Sequence, residues 1–201
     1  MFNKKNTTMK IRGIFYLSTV LLFFQSCFTN SANNNKDNCP LQPIYEYFDQ
    51  LDQKEIHFSD LDKRLNDAKG QNKTDVVNSV TKEFDDAQKN CLQKLDARFP
   101  SGSIKLPFEQ LGSKDTLIVK SAYVSGFAFP WNTATSICYY FTIEYELLKK
   151  DVWYPKIPLT FTDSEGDILY ICNIPANADG KSRFVVKAQP TFIKFVKITI
   201  N

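Results

Sequence analysis

An α+β fold is predicted, with a helical hairpin over residues 40–99 and an antiparallel β-sandwich over residues 100–201. Three observations predict it. Between Ile44 and Phe99 there is no proline and a single glycine, Gly70, so nothing there interrupts a helix except one turn. Apolar residues in that stretch recur at steps of three and four, the spacing of one helix face. Beyond Phe99-Pro100-Ser101-Gly102-Ser103 the pattern changes to aromatic and β-branched runs separated by turn residues.

The second half of the helical region carries Val77, Val80, Phe84, Ala87, Cys91 and Leu95 on one face, and Thr74 stands where an N-cap is expected. The first half carries Ile44, Phe48 and Leu51, then Phe58, Leu61 and Leu65, with a break expected between Gln53 and His57. Lys69-Gly70-Gln71-Asn72-Lys73 is a turn by composition and divides the two arms.

Strands are expected at 116–128, 136–148, 157–162, 167–173, 182–188 and 192–200, divided by Pro130, Pro155, Glu165-Gly166, Asp179-Gly180 and Pro190. Ile137, Tyr139, Phe141, Ile143, Tyr145 and Leu147 alternate with Cys138, Thr142, Glu144 and Glu146, which marks a strand with one wet face. Short strands at this spacing without intervening helices point to an immunoglobulin-like or similar sandwich.

The N-terminus is organised differently. Lys4, Lys5, Lys10 and Arg12 precede an apolar run from Gly13 to Phe24, and Gln25-Ser26-Cys27 follows. The run is shorter than the ~20 apolar residues that span a bilayer and fits a signal-peptide core. Met9 to Ser26 alone would make a complete signal. This order of basic, apolar and small residues before a cysteine resembles the signal peptide of bacterial lipoproteins. The resemblance covers residues 1–27 only. It implies that 1–26 are removed and that Cys27 becomes a lipidated N-terminus, carrying diacylglycerol and often an amide-linked palmitate-type chain. It also implies a place in the cell envelope, anchored to a membrane on its periplasmic or surface face. Residues 27–39, rich in Asn, Ser and Thr with Asn33-Asn34-Asn35 among them, read as a flexible tether.

Removal of the leader changes the charge. The chain has 25 basic and 22 acidic residues, and the four leader cations leave with no acid, so the mature balance is −1. Such a body has no electrostatic footprint for nucleic acid. The remaining 175 of the 201 residues suit one domain, or a small module joined to one.

After Cys27 an even number of cysteines remains: Cys39, Cys91, Cys138 and Cys172. In an exported chain that favours disulfides, and the expected pairs are Cys39–Cys91 and Cys138–Cys172, each within one structural region. No Cys-x-x-Cys spacing points to zinc or redox chemistry.

Chemistry-bearing motifs are sparse. His57 is the one histidine and sits in a charged stretch, where a surface or helix-junction role is expected. No nucleophile elbow, phosphate loop or dinucleotide fingerprint occurs, so no catalytic residue, cofactor or metal ligand is assigned. Asp163-Ser164-Glu165-Gly166-Asp167 reads as a hairpin turn, and Glu144 with Glu146 as a solvated strand face. A candidate binding patch comprises Phe127, Phe129, Trp131, Trp153 and Tyr154, at expected loops and strand ends.

The function expected from this is non-catalytic: a membrane-anchored envelope lipoprotein that binds another envelope protein. Two alternatives make different demands. A periplasmic immunity protein against a toxin would show an acidic or aromatic patch facing a cationic site. A carbohydrate-binding or carbohydrate-processing surface protein would line one groove with Trp131 and Trp153.

Overall fold

The computed structural model describes residues 39–148, 156–187 and 194–201. The chain forms α1 (Gln42–Leu51), a π-helical turn (Asp52–Ile56), α2 (Phe58–Gly70) and α3 (Thr74–Arg98). Among the described residues seven strands follow: β1 (Phe108–Gln110), β2 (Leu117–Ala128), β3 (Cys138–Leu147), β4 (Lys156–Thr162), β5 (Ile168–Pro175), β6 (Lys181–Lys187) and β7 (Lys197–Ile200). They build two sheets, β1-β7-β4-β5 and β2-β3-β6, in which every pairing is antiparallel except β1 with β7. The fold is α+β and sandwich-like.

The helices depart from the expected hairpin. Among the described residues there are three, and the first packs against α3 while also reaching the strands. α2 lies along α3, joined at the surface by the Arg64–Glu83 ion pair. α1 turns its aromatic side chains toward the β-layer, with Tyr45 against Tyr139 and Phe48 against Phe129. The physical reason is the supply of apolar surface. Two short helices cannot bury their own faces, and the aromatic end of the three-stranded sheet offers a larger partner. The helices therefore share one continuous core with the strands.

The change of direction is built by Asp52. Its carbonyl accepts the N–H of His57 at 2.8 Å, the widened spacing of a π turn. His57 then takes a left-handed conformation with φ +58. The Asp52 carboxylate reaches across this kink to accept the N–H of Phe58 at 2.7 Å, capping α2 and placing negative charge at its N-terminus. His57 is thus a helix-junction residue.

α2 ends two residues later than its glycine suggests. Gly70 is still helical, and Asn72 supplies the left-handed residue at φ +54. The N–H of Lys73 returns to the carbonyl of Ala68 and that of Asn72 to Lys69, the bond pattern of a Schellman cap with asparagine in the usual glycine place. This geometry delivers the chain directly into α3. Lys73 is the N-cap residue, Thr74 is already helical, and no side chain caps the helix.

Five strands fall on expected segments, β7 takes up only the last part of the expected 192–200, and β1 is an addition. Register alternation puts Phe127, Tyr139, Phe141, Ile143 and Tyr145 inward from the three-stranded sheet. Ile157, Leu159 and Phe161 meet them from β4, with Phe195 and Ile198 alongside. Phe141 stands at the centre, in ring contact with Tyr139, Phe161, Phe184 and Phe195. β2 is bulged at Lys120 and Ser125, which keeps Phe127 pointing inward beyond the second bulge. The sheets are joined at one corner by Gln110. Its amide accepts the N–H of Val119 at 3.0 Å and donates to the Leu117 carbonyl at 2.9 Å, imitating a strand neighbour for β2.

At the opposite corner the chain passes from β5 to β6 through a turn held by Tyr145. Its hydroxyl accepts the N–H of Asn177 and lies 2.9 Å from the Ser182 hydroxyl, which donates to the Pro175 carbonyl. A single buried phenol therefore ties β3 to β6 and to the connection that leads into it, and Ser182 carries the link on to β5.

Burial also sets how the fold responds to alkali. The Tyr45 and Tyr139 hydroxyls are buried without a hydrogen bond of ordinary geometry, their ring centres 5.8 Å apart. Desolvation pushes Tyr45 up to about 12 and Tyr139 well above the ordinary phenol value, and it pushes the Cys91 thiol up to about 12. Below pH 9 these groups hold their protons in both states. As pH rises through 9 and 10, the ordinary thiol and phenol values, the unfolded chain releases protons that the folded chain keeps. The unfolded state then binds fewer protons, so stability falls from pH 9 up to about 12. Urea midpoints measured across this window are expected to decline, and Tyr45→Phe to flatten the decline above pH 10. A midpoint independent of pH would refute the assignment.

Candidate functional site

The loop between β2 and β3 is the best-built exposed feature among the described residues. Its anchor is Gln88, a polar residue on the inner face of α3 that is only 7% exposed. Gln88 Nε2 donates to the carbonyls of Trp131 (3.1 Å) and Ala134 (2.8 Å), and the N–H of Ala134 closes back onto the Trp131 carbonyl at 3.1 Å. Ala134 is buried beneath the loop. Pro130 restricts the backbone just before it. The result is a rigid turn that presents the Trp131 side chain, 57% exposed, to solvent. A large ring held on a fixed loop loses little entropy on binding and suits recognition by a protein or ligand surface.

The other members of the expected patch do not join it. Phe127 is 7% exposed and belongs to the core, edge-on to Tyr139 and Phe99. Phe129 is half-buried in the seam between helices and sheet, against Phe48 and Phe58. Both face inward because the helical layer covers this end of the sheet, which local sequence pattern does not report. Trp153 and Tyr154 lie outside the described residues, as does Cys27.

The expected disulfides are not formed: neither Cys39–Cys91 nor Cys138–Cys172 is bridged. Cys39 precedes α1 and Cys91 is buried on α3, while Cys138 and Cys172 lie on β3 and β5, in different sheets. Burial raises the thiol of Cys91 to about 12 and that of Cys172 to about 11, so both stay protonated and are poor nucleophiles at neutral pH.

The wet face of the three-stranded sheet carries a network that sequence reading passed over. Glu144 accepts from Ser121 (2.9 Å), Tyr123 (3.1 Å) and Lys181 (2.9 Å), and the Lys181 bond is the main cause of its lowered pKa. The Arg183 guanidinium lies 4.0 Å above the Tyr140 ring and Lys105 stands 4.9 Å from that of Tyr123. The side chain of Arg183 passes over Gly126, where a Cβ would meet Nη2 at 3.5 Å. Glu146 pairs with Lys120. Glu144 is thereby held as an anion, the opposite of a general acid. The acidic loop 163–167 is likewise committed. Asp163 accepts the N–H groups of Glu165 and Asp167 and closes the β4–β5 turn, with Gly166 at φ +88.

Among the described residues no group of three His, Cys, Asp or Glu side chains is placed to hold a metal ion, and no helix is long and apolar enough to cross a membrane. No family model, curated protein or solved structure matches the chain.

Proposed function

We propose that this chain is a membrane-anchored lipoprotein of the bacterial cell envelope that acts as a non-catalytic protein-binding module. The observation that carries the anchor is the order Lys10, Arg12, apolar run to Phe24, Ser26, Cys27, followed by an Asn-rich tether. The binding role is supported by Trp131, a large aromatic side chain displayed on a loop pinned by Gln88. We read the two sheets as a sandwich of immunoglobulin-like or similar kind, a scaffold whose connecting loops suit recognition. A protein partner in the envelope fits a single protruding aromatic anchor better than a sugar does, because sugars are held in grooves with several aromatic walls.

The test has two arms. Cys27→Ala should move the protein from the detergent phase to the aqueous phase. Continued detergent partitioning would refute the anchor. A photo-crosslinking residue in place of Trp131, expressed in the native host, should trap one discrete partner, and Trp131→Ala should weaken that complex at least about tenfold. Crosslinking to nothing but lipid would refute the binding reading.

A further inference from the structure

The outer face of the three-stranded sheet carries more positive charge than its own carboxylates engage. Glu144 is held by Lys181 and Glu146 by Lys120. Lys105, Tyr123, Thr142 and Arg183 stand in one register row across that face. The two cations at the ends of the row are exposed, and each leans over an aromatic ring. The Lys105 ammonium lies 4.9 Å from the Tyr123 ring centre, and the Arg183 guanidinium 4.0 Å from that of Tyr140. Among the described residues neither cation forms an ion pair with a carboxylate. Burial raises the carboxyl of Asp96, in the last turn of α3, and the charge of Arg183 offsets this only in part. Gly126 makes room for the guanidinium, since a Cβ there would meet Nη2 at 3.5 Å. A guanidinium seated on a ring is pre-positioned and still has its N–H groups to donate.

We propose that this face docks an acidic, extended segment of a partner protein, whose carboxylates meet Arg183 and Lys105. Charge complementarity selects the occupant, because the two ring-seated cations offer donors that no carboxylate of the described chain takes up. Spacing supports an extended segment. Tyr123 and Tyr140 are diagonal neighbours on β2 and β3, a relation that places side chains about 7–8 Å apart. Alternate residues of an extended chain lie about 7 Å apart, so acids at every second position can reach both cations. Val185, 45% exposed, stands opposite Tyr140 in the register and adds an apolar contact. A polypeptide brings apolar atoms together with carboxylates, which an acidic polysaccharide does less well. Tyrosine and arginine are also the residue types that dominate binding energy at protein interfaces. The proposal does not rest on the Trp131 loop.

The probe is a fluorescent peptide of alternating glutamate and serine, titrated by anisotropy with the full chain in mild detergent. Saturable binding that weakens as salt rises is expected. The double variant Lys105→Ala/Arg183→Ala should bind at least about tenfold more weakly. Both side chains are exposed, and thermal unfolding matching that of the unaltered protein would show that the fold is kept. Arg183→Lys keeps the charge but loses the planar fork, and should weaken binding about threefold. Lys63→Ala/Lys69→Ala removes the same charge from exposed positions of α2 and should leave binding unchanged. Absence of binding, or equal losses in the two double variants, would overturn the proposal. So would an Arg183→Lys variant that binds as tightly as the unaltered protein, or polygalacturonate displacing the peptide at lower carboxylate concentration than the peptide itself.

Discussion

Phe141→Ala is expected to lower unfolding stability by about 3–5 kcal/mol, a large share of the 5–15 kcal/mol that typical domains possess. Phe141 is fully buried and its ring contacts Tyr139, Phe161, Phe184 and Phe195. It thus ties β3 to β4, β6 and the segment before β7, and truncation leaves a cavity that rings from both sheets cannot fill without moving. Urea unfolding followed by circular dichroism measures the loss. Phe141→Leu keeps most of the volume and should cost about 1–2 kcal/mol, which preserves a folded comparison if the alanine variant fails to fold. Val185→Ala on the exposed face of the neighbouring strand should change stability by less than about 0.5 kcal/mol. Equal losses at Phe141 and Val185 would contradict the assigned core.

Gly180→Ala is expected to destabilise by about 2–4 kcal/mol, and Gly166→Ala by about 1 kcal/mol. Gly166 sits in the β4–β5 hairpin turn and Gly180 in the β5–β6 connection, both with positive φ, +88 and +73. The surroundings differ. A Cβ on Gly166 meets nothing within 4 Å, so only backbone strain is added. A Cβ on Gly180 would stand 2.5 Å from the Tyr145 carbonyl oxygen, a backbone atom that cannot swing away. The Gly180 carbonyl also accepts the N–H of Tyr145 at 2.8 Å, and any shift of the turn strains that bond and the Tyr145 hydroxyl contacts beside it. Comparing the two variants by thermal unfolding separates strain from collision. Similar losses at both positions would show that the close approach at Gly180 is absent in solution.

Much of the architecture was legible along the chain, and the failures share a cause. Val80, Phe84, Cys91 and Leu95 are buried as their spacing predicts, and the alternation of β3 sorts Phe141 and Ile143 inward from Glu144 and Glu146 but not Cys138 and Thr142, which are buried as well. Those patterns are local, because a helix or strand face is defined within a few residues. β1 was missed because three residues carry almost no pattern and their partner, β7, lies far along the chain. The candidate site was legible only at Trp131. Phe127 and Phe129 looked like loop aromatics, but Phe48 of α1 and Phe58 of α2 pack on Phe129, and Phe99 at the end of α3 packs on Phe127. Gln88 gave no signal, since a glutamine on an apolar helix face announces its role only when the carbonyls of Trp131 and Ala134 are brought to it.

Residue order alone therefore determined most of the helix and strand segments and the buried face of α3. Tertiary structure decided which faces meet. It turned aromatic side chains of α1 toward the β-layer, left Cys39 and Cys91 unbridged, assigned Cys138 and Cys172 to different sheets, and placed β5 at the end of its sheet. The physical reason is range. Periodicity encodes what each segment needs to bury, whereas the choice of partner depends on the competition among all available apolar surfaces once the chain is compact.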